Sequence, residues 1–127
     1  MRCSFLNNKN PLTMACAQAV VQRFMQDGPA LQERINQRAE ALVDRLSIWL
    51  REHRMPVSIA RFGSMFRFVG PPPVTQLLVP HLVMRGIYTP EGMLFFVSVA
   101  HDSNDLIALE QAVQDSLLAM RRGGYIA

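Results

Sequence analysis

Residues 64–69, SMFRFV, carry the sequence feature that most constrains the fold, because apolar aromatic side chains alternate there with other residues. Phe66 and Phe68 fall on one face of this segment, and the residues beside them fall on the other. A period of two residues is typical of a β-strand with one buried face. We therefore predict a strand here, with its aromatic face directed toward the core.

Helix-breaking residues border this segment and a second candidate strand. Pro56 precedes them and residues 70–73, GPPP, follow. Proline has no backbone N–H to donate, so neither border continues a helix. Gly63 readily adopts the positive φ that a tight connection needs. We predict that residues 57–61 and 64–69 form an antiparallel pair on which the rest of the chain packs.

Two helices are predicted before the strand pair. Asn10 and Pro11 mark a helix start, because Asn is a favourable N-cap and Pro fits the first helical position. This helix covers residues 12–26 and ends at the Gly-Pro of residues 28–29. Over residues 30–54 apolar residues recur every three or four positions, which is typical of an amphipathic helix.

A third helix and two short strands are predicted next. Residues 74–85 are mostly apolar, but Pro80 lacks a backbone donor, so we predict a helix that is kinked at Pro80 or begins there. Residues 87–88 and residues 94–99 are rich in β-branched and aromatic side chains and are predicted as strands.

The last predicted helix begins at Asp102. Asp102 is a good N-cap, and Asp105 adds negative charge to the first turn, where the helix dipole favours it. Arg121 and Arg122 complement the dipole at the other end, and Gly123 stops the helix. The predicted order is α-α-β-β-α-β-β-α, an α+β fold in which helices cover one face of a small, mostly antiparallel sheet.

The length and composition predict one domain, residues 1–127. Hydrophobic residues make up 50% of the chain and charged residues 18%, which is the balance of a globular protein. No apolar run approaches the roughly 20 residues that cross a bilayer. Residues 1–10 lack the apolar centre of a signal peptide. We expect a cytoplasmic protein with no membrane partner.

Charge and candidate ligand residues argue against two further classes of function. The net charge is +3, but the arginines are scattered instead of forming one block interleaved with aromatic residues, so no nucleic-acid partner is predicted. His53, His81 and His101 lack the spacing of a zinc site, and Cys3 and Cys16 do not form a C-x-x-C motif. We predict no metal site.

Four segments, in this order and spacing, resemble the C-terminal part of class III pyridoxal-phosphate (PLP) aminotransferases. They are NKNPLTMACAQAV, FGSMFRF, RGIYTPEG and FVSVAHDSNDLIAL followed by QAVQDSLLAMRRGG. Within that class they look most like glutamate-1-semialdehyde aminomutase-like enzymes, and in particular the aminotransferase domains of hybrid peptide and polyketide synthases. The resemblance extends from about Asn8 to Tyr125, nearly the whole chain.

The resemblance implies a fold-type-I enzyme whose large domain holds PLP, while this chain corresponds to the small C-terminal domain and its lead-in helix. In such enzymes a threonine before the Asn-Pro pair reaches the cofactor phosphate of the partner subunit. Leu6 occupies that position here, which leaves Asn7 and Asn8 as the candidate cofactor-binding residues. Ser64 and Glu91 are the candidate substrate-side residues, since the turn of Glu91 points toward the active-site entrance in the relatives.

Each candidate also has a purely structural explanation. Glu91 is explained as a turn residue in solvent, and a solvent-facing position at or within a strand accounts for Ser64 and Arg67. Helix capping explains Asn10 but not its neighbours.

The cofactor lysine of the family lies on the large domain, and Lys9, the only lysine here, does not match it. Because a PLP enzyme needs that lysine as Schiff base and proton carrier, we predict that this chain alone neither transaminates nor holds PLP at a specific site. No residue is assigned a catalytic role.

Two functions therefore follow from the sequence. The first is a non-autonomous C-terminal domain or fragment of a PLP-dependent aminotransferase or aminomutase. The second is a stand-alone interaction module that has kept the fold and lost catalysis. The expected partner is the missing large domain or another copy of the chain, in a dimer, because surfaces shaped to meet another domain are left apolar.

Overall fold

The computed structural model describes residues 10–89 and 94–127. Its elements, in chain order, are α1 (Pro11–Asp27), α2 (Pro29–Glu52), β1 (Ser58–Phe62), β2 (Met65–Val69), α3 (Pro72–Val83), β3 (Leu94–Phe96) and α4 (Ser103–Arg122). The strands form one antiparallel sheet in the order β1-β2-β3. The predicted α+β class, with its strand pair at the centre, is confirmed.

The density of internal contacts divides the chain into two compact units, Met1–Arg34 and Ile35–Ala127. The first unit contains α1 and the beginning of α2. The second contains the rest of α2 and every strand among the described residues. The expectation of a single domain stays a prediction.

Helix α1 is an apolar helix without a buried residue. Asn10 caps it as predicted, because its Oδ1 accepts a hydrogen bond from the N–H of Leu12 at 3.0 Å. Gly28 ends it with a φ of +60° while donating its N–H to Phe24 O at 2.9 Å. The large apolar side chains that α1 exposes are Leu12, Met14, Val20, Val21, Phe24 and Met25.

The hairpin between β1 and β2 closes through a two-residue turn. Phe62 pairs with Met65, so Gly63 and Ser64 form the connection. Gly63 adopts a φ of +59°, and glycine at the first central position is the requirement of a type II′ turn. Arg61 supports the turn, since its guanidinium donates to Gly63 O at 2.9 Å and pairs with Glu40 of α2 at 2.7 Å.

The aromatic face of β2 is the core, as predicted. The ring of Phe66 stacks on Phe95 of β3 at a centroid distance of 5.1 Å, and Phe68 meets Phe95 edge to face at 5.5 Å. The helices contribute further fully buried apolar side chains, which are Leu42, Leu46, Leu78, Leu82, Val113, Leu117 and Met120.

Two details predicted after the hairpin are wrong. Helix α3 begins at Pro72 and contains Pro80, so of the two predicted alternatives the start at Pro80 is wrong, and the kink at Pro80 stays a prediction. Residues 87–88 are not a strand. The N–H of Ile87 donates to Leu82 O at 2.9 Å, and Gly86 adopts a φ of +80°. This hydrogen bond closes the end of α3, so the backbone donor of Ile87 is not available to pair with a neighbouring strand.

The remaining predicted elements are present, although the last strand is shorter than predicted. Residues 94–96 of the predicted 94–99 form β3. Helix α4 begins at its Asp102 cap and ends before Gly123. Among residues 10–89 and 94–127, no helix combines the length and apolar character that crossing a bilayer requires.

Two phenylalanines of the hairpin give a matched test of the core. Phe66 is 1% exposed and Phe62 is 82% exposed. We expect Phe66→Ala to lower the free energy of unfolding by about 3–5 kcal/mol, because it removes buried apolar volume and leaves a cavity. Phe62→Ala should change it by less than about 0.5 kcal/mol. Urea unfolding followed by circular dichroism measures both, and equal losses would contradict the assigned sheet faces.

Candidate functional site

Most of the predicted site residues lie outside the described part of the chain. Asn7, Asn8 and Glu91 belong to residues 1–9 and 90–93, so their roles stay predictions. Ser64 is the one predicted site residue that the structure describes.

Ser64 is the second residue of the β1–β2 turn and is half-buried. Its carbonyl accepts a hydrogen bond from the N–H of Val97 at 2.9 Å, which extends the β2–β3 ladder beyond Phe96. The backbone of Ser64 therefore links the hairpin to the end of β3. A substrate-side role for its side chain stays a prediction.

A cleft of about 570 Å³ lies in the unit Ile35–Ala127, beside the stacked rings of the core. Phe66 and Phe95 of the sheet and Leu106 of α4 form part of its apolar wall. The polar side chains that line it are Arg85, Tyr88, Thr89, His101 and Asp105. A mostly apolar cleft with a few polar groups is typical of a small-molecule site.

The segment after α3 supplies three of these polar residues. Thr89 is buried, and its Oγ1 donates to Leu94 O at 3.2 Å. This hydrogen bond links the residue before segment 90–93 to the residue after it. Arg85 donates to His81 O at 3.0 Å and so remains attached to the end of α3. The positive φ of Gly86 turns the chain from α3 into the cleft wall.

The loop between β3 and α4 positions His101. Its Nδ1 accepts from the N–H of Ser98 at 3.1 Å and lies 3.0 Å from Ser98 Oγ. Ser98 Oγ in turn accepts from the N–H of Ala100 at 3.3 Å. Since Nδ1 is an acceptor, the proton of the neutral ring is on Nε2. A guanidinium N–H of Arg38 in α2 donates to His101 O.

These contacts make the Ser98–His101 pair a loop clamp. A serine nucleophile needs a base that is free to take its proton and a third group that orients the base. Here Nδ1 already accepts a backbone N–H, and no carboxylate of the described residues bonds to the ring. The pair therefore lacks the free base and the orienting group that an activated serine needs. The clamp leads directly into Asp102, the N-cap of α4.

The described residues offer no metal centre and do not fit covalent PLP binding. Among them, no cluster of three His, Cys, Asp or Glu side chains is placed to hold a metal ion. Residues 10–89 and 94–127 contain no lysine, because the single lysine of the chain is Lys9. A PLP aldimine requires a lysine amine.

Sequence reasoning did not identify Arg85, Thr89 or His101 as neighbours. Their shared cleft depends on contacts between distant parts of the chain. The S-x-x-H spacing directly before an Asp N-cap was a local signal for the clamp, because serine and histidine at that spacing bond within one turn.

No protein-family model matches the sequence. The fold itself is similar to parts of solved transaminases. An omega-transaminase from Sphaerobacter thermophilus matches with a TM-score of 0.69 at 19% identity, over 89% of this chain and 29% of that one. A transaminase with PLP bound matches with a TM-score of 0.69 at 21% identity, over 88% of this chain and 29% of that one.

The FumI protein of Sphingopyxis sp. MTA144, solved in its PLP internal aldimine form, matches with a TM-score of 0.66 at 17% identity. That match covers 79% of this chain and 25% of the FumI chain. The protein therefore spans less than a third of the length of each of these three structures. It has the fold of a segment of these transaminases, as the sequence resemblance implied.

The cap of α4 provides a test of how the cleft is held. Asp102 Oδ1 accepts from the N–H of Asp105 at 2.9 Å, and Asp105 Oδ2 accepts from the N–H of Asp102 at 2.8 Å. We expect Asp102→Ala to lower the free energy of unfolding by about 1 kcal/mol. Asp102→Asn keeps a capping oxygen and should cost only about 0.3 kcal/mol, the effect of one charge on the helix dipole. Equal losses in urea unfolding would contradict capping as the cause.

Proposed function

We propose that this chain is the small C-terminal domain, or a fragment containing it, of a PLP-dependent aminotransferase or aminomutase of class III. The observation that carries the proposal is the unequal coverage of the fold matches. They include 79–89% of this chain but only 25–29% of each transaminase. A chain of this size resembles one part of such an enzyme and needs the remainder for amino-group transfer.

Within that class, the quoted sequence segments favour an enzyme of the glutamate-1-semialdehyde aminomutase-like group. A cytoplasmic location belongs to the same proposal. The proposed substrate of the enzyme is an amino or β-keto thioester or a similar small acid. Asn7 and Asn8 would lie near the cofactor phosphate of a partner subunit, and Ser64 and Glu91 would face the substrate.

The exposed apolar surface of α1 supports the non-autonomous state. Helix α1 buries none of its residues, although it carries several large apolar side chains. Contiguous exposed apolar surface is typical of a face that meets another protein or domain. The partner proposed for this surface is the large domain of the enzyme.

The second candidate is a stand-alone oligomeric interaction module. The exposed apolar side chains of α1 favour it, because a surface that once met another domain is one that a second copy of the chain can cover. The coding DNA upstream of Met1 separates the two candidates. An adjoining reading frame that encodes a large domain with a Schiff-base lysine supports the enzyme, and its absence supports the module.

The isolated 127-residue chain should neither form a stoichiometric, saturable aldimine with PLP nor transfer an amino group to a keto acid. The described residues lack the required amine, and Leu6 replaces the threonine expected to bind phosphate. Aldimine absorbance during PLP titration and a coupled transamination assay measure the two properties. Saturable absorbance and activity that both disappear in Lys9→Ala would show that Lys9 is a true cofactor lysine and overturn this prediction.

The isolated chain should also self-associate, with a dimer as the simplest state. Covering the exposed apolar side chains of α1 removes them from water, which favours association. Sedimentation velocity at micromolar concentrations measures the state. We expect Phe24→Glu to shift the chain toward monomer, while Gln18→Glu, which adds the same charge at a polar position of α1, should not. A wild-type monomer throughout that range would contradict the prediction.

A further inference from the structure

The two faces of the sheet differ in burial. The inner face carries Phe66 and Phe95, which are buried. Residues directly opposite each other in antiparallel strands share a face. The register therefore assigns the following residues to the opposite side, here called the outer sheet face: Ser58, Ala60, Phe62, Met65, Arg67, Val69, Leu94 and Phe96.

An apolar row crosses all three strands on the outer sheet face. Phe62 of β1 is opposite Met65 of β2, and Met65 is opposite Phe96 of β3. Phe62 is 82% exposed and Phe96 is 54% exposed. Exposed aromatic side chains on one continuous surface are typical of an interface. These exposed rings add nothing to the buried core, and a partner that covered them would remove their apolar surface from water.

Arg67 lies in the next row, between Ala60 and Leu94. It is exposed, and its guanidinium has no hydrogen-bond or ion-pair partner among residues 10–89 and 94–127. Arg61 of β1, by contrast, pairs with Glu40. Covering an unpaired guanidinium with apolar surface is costly unless the covering surface supplies an acceptor. A carboxylate fits best, because its two oxygens match the guanidinium fork.

A second copy of this chain does not supply that carboxylate through the same face. A symmetric dimer would place two outer sheet faces against each other. The outer sheet face contains no Asp or Glu. Each Arg67 would then meet apolar groups and the other copy's positive charge, which disfavours this arrangement.

We propose that the outer sheet face is the surface that docks on the large, PLP-binding part of a transaminase, and that a carboxylate of that part pairs with Arg67. The inference rests on the proposed function. A chain that spans at most 29% of the matched transaminases leaves a much larger remainder to provide such a surface. The remainder must present an apolar patch with one acidic side chain within it.

The test uses the large domain encoded upstream of Met1, produced as a separate polypeptide, and measures its Kd for the 127-residue chain by calorimetry. Arg67→Glu should weaken binding by about 100-fold or more, because it replaces an interfacial charge pair by repulsion. Phe62→Ala should weaken it by about 10-fold, as expected for an aromatic anchor. Arg122→Glu is the matched control, an exposed arginine at the end of α4 with the same charge change, and should stay within about 2-fold.

The outcomes distinguish the two proposals. If the wild-type chain binds and Arg67→Glu binds as tightly, or loses no more affinity than Arg122→Glu, the docking surface is wrong and the proposed function stands. If no large domain is encoded upstream, or a large domain that circular dichroism shows to be folded does not bind the wild-type chain, the proposed function is wrong and the docking inference fails with it. Circular dichroism and urea unfolding of each variant identify any loss of fold, which is not expected at exposed positions.

Discussion

The stacking of Phe66 on Phe95 is the contact on which the unit Ile35–Ala127 depends. These two residues are opposite each other in the β2–β3 register, and their rings are nearly parallel, with an interplanar angle of 10°. The stack fixes a strand of only three residues, β3, against the hairpin. Because β3 leads into the Ser98–His101 clamp and the Asp102 cap, the same contact determines where the cleft wall lies.

Local patterns predicted most of the fold because they express local physics. Alternation identified β2 and its buried face, and the Asn10 and Asp102 caps identified two helix starts. The prediction at residues 87–88 was wrong for a reason that composition does not reveal. Ile87 has a side chain suited to a strand, but its backbone donor completes the end of α3.

The site was harder to predict than the fold. Arg85 and Thr89 come from the segment after α3 and His101 from the loop before α4, and no spacing rule relates His101 to the other two. The outer sheet face was easier to predict than the cleft, because the alternation that predicted Phe66 as buried also placed Arg67 on the other side of the strand. What alternation did not provide was the register, which places Arg67 between Ala60 and Leu94 and beside an exposed aromatic row. Register depends on pairing partners that are distant in sequence.

The connections within the sheet have a consequence for the order in which this unit folds. The β1–β2 hairpin closes over Gly63 and Ser64, so its ring closure loses little chain entropy and forms on the microsecond scale typical of hairpins. The pairing of β2 with β3, by contrast, closes a much longer loop that contains all of α3. Non-local pairing of this kind slows folding. During synthesis the hairpin therefore forms before β3 is available, while the edge of β2 that pairs with β3 is still open, and this nascent state is the one most exposed to aggregation.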